Sequence, residues 1–93
     1  MTDDASPLAH YIGKVVVVDV DAPYVYIGTL AQYGREFVEL RDADVHDLRD
    51  SEATRELYVL ESCQYGVRRN RYSVYIRADK IISISLLEDV TDR

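Results

Sequence analysis

Ninety-three residues are enough for one domain with a modest hydrophobic core, and the net charge of −6 argues against a protein that coats nucleic acid indiscriminately, because such binding depends on Lys and Arg neutralising phosphates. The apolar run at residues 15–18 is far shorter than the roughly 20 residues of a membrane helix, so we expect no membrane contact. We recognise no secretory signal, and the single cysteine, Cys63, cannot form an internal disulfide. Both features are typical of a cytoplasmic protein.

The chain begins with what its composition predicts to be a flexible acidic end at residues 1–5, followed by a short helix. Ser6 before Pro7 is typical of a helix start, because Pro at the first helical position loses no needed donor and Ser can cap the exposed amides. Gly13 would end this helix. Its apolar face, expected to pack against an end of the sheet, would consist of Leu8, Tyr11 and Ile12.

Three strands follow in the sequence pattern. Residues 14–20 form a β-branched run whose near-continuous apolarity favours a strand buried on both faces for part of its length. Residues 24–33 alternate as a second strand, in which Gly28 indicates a bulge or a sharp bend. After a loop at Gly34, a third strand is predicted over residues 37–40, or as far as residue 45.

Apolar residues recur at helical spacing between residues 52 and 65. Asp50 or Ser51 could act as the N-cap and Gly66 as the stop, which predicts a helix over residues 52–65. Residues 57–60 would also suit a short apolar strand, so both interpretations stay open.

The stretch at residues 72–87 predicts the last two strands, with residues 78–80 as a polar break and residues 88–93 as a flexible tail. In both strands apolar and other residues alternate with a period of two, as expected where one sheet face is buried. The residues predicted to share a face are Tyr72, Val74 and Ile76 in the first strand, and Ile82, Ile84 and Leu86 in the second.

Residues 76–79, Ile-Arg-Ala-Asp, resemble the second signature of the Sm and Sm-like family, where an aliphatic residue, a basic residue, a glycine and an asparagine or aspartate precede a short aliphatic strand. Residues 26–30, Tyr-Ile-Gly-Thr-Leu, are similar to the first signature. The resemblance covers most of residues 8–87 and is that of a divergent bacterial or phage-type member of the Sm-like family. It implies a mainly β fold: one small, strongly bent, five-stranded barrel of SH3 type over residues 1–93, with a short N-terminal helix and a helical insertion between strands three and four.

The resemblance also implies a base-stacking pair and its partner. Arg77 matches the cation that stacks on the base in the family, and Asp79 matches its partner, while Ala78 replaces the usual glycine. The stacking aromatic lies near the turn between strands two and three, where Tyr33 or Phe37 could serve.

The base-reading part of the family pattern is missing from this sequence. The aspartate of the first signature falls on Gly34. The base-binding asparagine falls on Val38, or on Glu39 if the loop differs by one residue. Neither side chain can make the two-sided amide contact with a uracil edge that Asn provides, because Val has no polar group and ionised Glu only accepts hydrogen bonds.

The resemblance implies assembly of the chain with itself. Sm-like barrels pair strand four of one subunit with strand five of the next in a closed ring, which leaves no strand edge open. The candidate interface residues are Tyr72, Val74, Ile76, Ile82, Ile84 and Leu86. The alternative is a monomer whose edges are shielded by the inserted helix.

Charge is distributed unevenly: residues 35–61 contain four basic and nine acidic residues, whereas residues 64–80 contain five basic residues and one acidic residue. Arg68, Arg69 and Arg71, interleaved with tyrosines, have the composition of a single-strand RNA surface. Tyr and Arg are also enriched at protein interfaces, and for an acidic chain we favour the interface.

No cofactor, metal or catalytic site is predicted. Asp44, His46, Asp47 and Asp50 have metal-like chemistry, but their spacing matches no known site, and acidic residues at a helix start are explained by the helix dipole. Cys63 has no predicted base beside it. Together with the Sm-like resemblance, which implies a ring, these features predict a non-enzymatic structural or protein-interaction module that lacks uridine recognition. The alternative is weak, non-specific binding of single-stranded RNA, as in RNA metabolism.

Overall fold

The computed structural model describes residues 6–50 and 54–91, which form one antiparallel sheet with an α-helix and three short 3₁₀ turns. The strands are β1 (Val15–Val20), β2 (Tyr24–Tyr33), β3 (Phe37–Asp47), β4 (Arg71–Arg77) and β5 (Ile81–Leu86). The helix α1 (Arg55–Tyr65) lies between β3 and β4, and the 3₁₀ turns are Pro7–Tyr11, Ala78–Lys80 and Leu87–Asp89. The predicted five-stranded, mainly β fold with a helical insertion is confirmed.

The five strands follow the order β4-β3-β2-β1-β5, so β4 and β5 are the outer strands although they are neighbours in the chain. The 3₁₀ turn Ala78–Lys80 carries the chain from one edge of the sheet to the other. A flat sheet could not bring these edges within reach of three residues, whereas a strongly bent one can.

Two breaks in register bend β2 against β3, one on either side of Thr29. Gly28 lies at the first break, and a Cβ built on it would stand 2.9 Å from the Cβ and 3.0 Å from the Cα of Ala43. The backbones of β2 and β3 approach so closely there that only glycine fits. The bend predicted at Gly28 is therefore confirmed.

Strand β1 is buried on both faces, as its sequence predicts. Val16, Val18 and Val20 point into the main core with Leu30 and Leu40. The intervening Val17 belongs to a second core on the opposite face of the sheet, whose other fully or largely buried members are Val25, Ile27, Val59 and Leu87. Val59 comes from α1, so the inserted helix packs across the outer face of the sheet.

The helix α1 begins later than predicted. Its N-cap is Thr54, whose Oγ1 accepts a hydrogen bond from the Leu57 N–H at 3.2 Å. Asp50 is therefore not the cap, and Ser51 and the predicted first turn at residues 52–53 lie outside the described residues. Gly66 ends the helix with a φ of 98°, a conformation that favours glycine. Residues 57–60 are helical, which excludes the alternative strand.

The N-terminal turn is capped by Ser6, whose Oγ accepts from the Leu8 N–H at 3.2 Å. Leu8 and Tyr11 pack on the main core as predicted. Ile12 does not, since it is 45% exposed. The helix is a single 3₁₀ turn, and the third residue of the predicted apolar face falls beyond it.

The predicted alternation in the last strand is wrong at its start. Ile81, Ile84 and Leu86 pack against the main core, whereas Ile82 is 70% exposed. The cause is a bulge: the register between β1 and β5 shifts from Val20 opposite Ile81 to Asp19 opposite Ser83. One extra residue turns the side chains before it to the other face.

Candidate nucleic-acid interface

Two backbone hydrogen bonds bring the β2–β3 loop to the end of β4. The Gly34 N–H donates to the Phe37 carbonyl at 2.9 Å and closes the hairpin. The Ala78 N–H donates to the Glu36 carbonyl at 2.8 Å, just beyond the pair formed by Phe37 on β3 and Arg77 on β4. Residues from both sequence signatures therefore meet at one end of the β3–β4 pair.

A surface cleft opens at this end, and we call it the Phe37 cleft; its lining residues are Arg35, Glu36, Phe37, Arg77 and Asp79. Phe37 is 48% exposed and makes an edge-to-face contact with Tyr75, with 6.2 Å between ring centroids. A half-exposed aromatic ring leaves surface on which a base can stack.

The cation of the cleft is held by its predicted partner. The Arg77 Nη2 donates to the Asp79 Oδ2 at 3.0 Å, while their side chains stay 66% and 62% exposed. An exposed ion pair of this kind adds little to stability. It does orient the guanidinium plane, which can stack on a base or contact a phosphate.

The two positions that could read a base are occupied by other contacts. Val38 is 3% exposed and belongs to the main core. Glu39 is 4% exposed, and its carboxylate accepts hydrogen bonds from Gln32 at 2.7 Å, Ser73 at 2.7 Å and Arg41 at 3.2 Å. The Gln32 bond, followed by that of Ser73, holds the pKa of Glu39 below its usual value. Neither side chain offers a free polar group to a nucleotide.

The other candidates for RNA binding do not meet in this cleft. Tyr33 packs partly buried against the main core and does not line the cleft, so Phe37 is the aromatic placed there. Arg68, Arg69 and Arg71 lie at the opposite end of β4, about 20 Å away for a strand of this length. The sequence pattern predicted one set of RNA-binding residues, whereas the fold separates these residues into two sites.

The candidate interface residues lie on the two outer strands, but their exposures differ. Ile76 is 4% exposed and part of the main core, and Val74, Ile84 and Leu86 pack against that core. Tyr72 and Ile82 are 77% and 70% exposed. The described part of α1 packs on a face of the sheet through Val59.

The bent five-stranded architecture matches a solved structure, that of a Pyrococcus abyssii Sm protein in complex with a uridine heptamer. The match covers 91% of this chain and 99% of that chain, with a TM-score of 0.61 and 20% sequence identity. The chain has the Sm fold. No protein-family model matches the sequence, and no curated protein does either.

On the Sm fold, the inserted helix α1 is joined to β3 by a polar cluster around the buried Asp44, which the sequence did not reveal. The Asp44 carboxylate, 9% exposed, accepts hydrogen bonds from the Tyr58 hydroxyl and from the Asn70 Nδ2, the latter at 3.0 Å. Burial, and then the Asp44 carboxylate, raise the pKa of Tyr58 above its usual value, which keeps the hydroxyl protonated as a donor. The His46 ring stacks on Tyr58 at 3.9 Å.

Two of the acidic residues that resembled a metal site have other partners. Asp44 is engaged by Tyr58 and Asn70, and Asp47 accepts from the Arg49 backbone and guanidinium at 2.9 to 3.0 Å. The Arg49 bonds hold the pKa of Asp47 below its usual value. Within residues 6–50 and 54–91, no three His, Cys, Asp or Glu side chains are grouped to hold a metal ion.

The only α-helix of the described ranges is the 11-residue α1. It falls well short of the length required for a membrane crossing, and no other helix there is long and apolar enough to span a bilayer.

Proposed function

We propose that this chain is a ring-forming module with the Sm fold that binds single-stranded RNA weakly, by stacking and charge, with little preference among bases. The observation that carries the proposal is the meeting of an exposed aromatic ring, Phe37, and an oriented guanidinium, Arg77, in one cleft. The solved neighbour with this fold is in complex with a uridine heptamer, which makes RNA the first ligand to test.

Stacking on an aromatic ring contributes about 1–3 kcal/mol per base and tolerates any base, because every base has a π-face. Discrimination requires hydrogen bonds to base edges instead. Val38 lies in the core and the Glu39 carboxylate is engaged by three side chains, so the two positions that match the family's base-reading asparagine offer no free group for that purpose. This combination supports binding without uridine selectivity.

Assembly is proposed from the exposed edges of the sheet. Unpaired outer strands are a liability that proteins manage by pairing or covering them. Among the described residues nothing pairs with the outer edges of β4 and β5, and each strand carries a large exposed side chain, Tyr72 or Ile82. Pairing β4 of one copy with β5 of the next, as in the Sm-like resemblance, would cover both and repeat the Phe37 cleft once per subunit.

The RNA proposal is tested by measuring the affinity of the purified chain for oligouridine and oligoadenosine at several salt concentrations. We expect Phe37→Ala and Arg77→Ala each to weaken binding to both about tenfold, as the loss of one stacked base predicts. Arg49→Ala is a matched control, because Arg49 is 62% exposed and pairs with Asp47 at 2.9 Å, much as Arg77 pairs with Asp79. Absence of binding even at low salt would reject the proposal.

The second candidate function is a structural or protein-interaction module without RNA. The net charge of −6 and the exposed Tyr72 and Ile82 favour it. If this second candidate is correct, the chain should assemble into a ring and bind neither oligonucleotide at low salt. Both candidates are compatible with the cytoplasmic location that the sequence predicts.

A further inference from the structure

A second cleft lies at the other end of β4, between α1 and the segment that leads into the strand. Its floor is formed by Asp44, His46 and Tyr58, and its rim by Tyr65, Arg68 and Arg69. The cleft has a volume of about 740 Å³, within the range of small-ligand sites. We call it the Tyr65 cleft; it exists because of the α1 insertion.

The floor of this cleft is fixed by hydrogen bonds. Besides donating to Asp44, the Asn70 side chain accepts from the Val45 N–H at 3.0 Å and donates to the Val45 carbonyl at 3.1 Å. The Asn70 N–H donates to the Ala43 carbonyl at 2.9 Å. The segment that carries Arg68 and Arg69 is thereby anchored to β3, so the rim residues have a defined position.

The rim combines a free ring with cations. Tyr65 is the last residue of α1 and is 83% exposed, the highest exposure among the large hydrophobic residues of the described chain. Arg69 lies 4.6 Å from the centroid of the Tyr72 ring and pairs with Asp42 at 2.9 Å, which holds it in place. Arg68 has no carboxylate partner among the described residues.

We propose that the Tyr65 cleft is a second contact site for single-stranded RNA, in which a base stacks on Tyr65 while Arg68 contacts a phosphate. An aromatic platform beside a cation is the pattern of single-strand binding surfaces. An unpaired arginine in an otherwise acidic protein favours an anionic ligand. Residues 64–80 hold five basic residues against one acidic residue, and these cations lie at the two ends of β4, where the two clefts are.

The inference rests on the proposed function for the choice of ligand, but it makes a separate prediction about length. The two clefts lie about 20 Å apart along β4, so a short oligonucleotide occupies one and a long strand engages both. Linking two contacts in one ligand raises affinity through effective concentration. Substitutions in the Tyr65 cleft should therefore weaken the binding of long strands and leave the binding of short strands unchanged.

The experiment measures binding of the full chain to oligonucleotides of about 4 and about 16 nucleotides, the range of single-strand site sizes. We expect the double variant Tyr65→Ala with Arg68→Ala to weaken binding of the long strand about tenfold and to leave the short strand unchanged. Arg77→Ala should weaken both. Loss of the Arg68 phosphate contact should also reduce the salt slope for the long strand by about 0.7.

Leu57→Ala and Lys14→Ala serve as controls, since Leu57 is an exposed apolar residue of the same helix and Lys14 an exposed cation elsewhere. Long-strand affinity that is unchanged in the double variant, with both affinities lowered in Arg77→Ala, overturns this inference and leaves the proposed function standing; a protein ligand at Tyr65 would give that result. Weakening by the double variant alone supports this cleft and overturns the role of the Phe37 cleft.

Discussion

The two ends of β4 are built in opposite ways. At the Phe37 cleft, the side chains lie on the surface, and the charged pair is local, since Arg77 interacts with Asp79 two residues away. At the α1 end, a buried carboxylate, Asp44, joins residues distant in the chain, Tyr58 and Asn70. The first arrangement leaves groups available to a ligand at little cost in stability, whereas the second uses its polar groups to hold the insertion in place.

This contrast predicts that substitutions of buried residues at the α1 end act on stability and that substitutions of the exposed residues in the Phe37 cleft act on binding. The largest expected effect is in the core beneath α1, where Ile27 is fully buried. Ile27→Ala should lower the free energy of unfolding by about 2–5 kcal/mol, because it leaves a cavity. Urea denaturation measures it. Phe37→Ala is the matched variant in the Phe37 cleft. If it lowered the free energy of unfolding as much as Ile27→Ala does, the proposed difference between the two ends of β4 would be wrong.

A smaller loss of stability is expected when the buried Asp44 carboxylate loses one of its hydrogen-bond donors. Tyr58→Phe removes the hydroxyl that donates to Asp44 and leaves the buried carboxylate with Asn70 as its side-chain donor. We expect a loss of about 1–3 kcal/mol in the same denaturation assay. Tyr72→Phe is a matched control at a 77% exposed ring and should leave stability unchanged. Equal stability of the Tyr58→Phe variant and the unmodified chain would show that the cluster does not hold α1.

The smallest expected effect is a loss of stability at acidic pH. It comes from Glu39, which lies between the two ends of β4. The folded-state pKa of Glu39 is lowered from 4.5, chiefly by Gln32 and then Ser73. The ionised group therefore stabilises the fold fully above about pH 4.5, and this contribution is lost as the pH falls through the lower folded-state value. Glu39→Gln should narrow the stability difference between pH 7 and pH 3 relative to the unmodified chain. The same difference in the variant and in the unmodified chain would contradict this role for Glu39.

Much of the fold was predictable because its signals are local. The both-face burial of β1 follows from consecutive valines, the bend at Gly28 from a glycine within a strand, and the end of α1 from Gly66. The pairing of Arg77 with Asp79 followed from a short motif. Each of these depends on residues close in sequence.

The rest depended on long-range geometry. The bulge at Ile82 arises from pairing with β1 and leaves no mark in an alternating run of isoleucine and serine. The Asp44 cluster joins three segments, and its acidic residues resembled a helix start or a metal site. Arg68 and Arg77 lie in separate clefts because the extended strand β4 runs between them. The sequence pattern showed their shared charge but not their separation.

The most direct test of the central claim is the solution mass of the chain, measured by light scattering coupled to size exclusion. A ring that pairs β4 with β5 predicts a mass of several times 10.7 kDa. Ile82→Glu, at a 70% exposed site on the outer strand, should return it to 10.7 kDa, whereas Leu57→Glu on α1, 46% exposed, should not. A mass of 10.7 kDa for the unmodified chain at working concentrations would contradict ring formation and leave the Phe37 cleft as a single, unrepeated site.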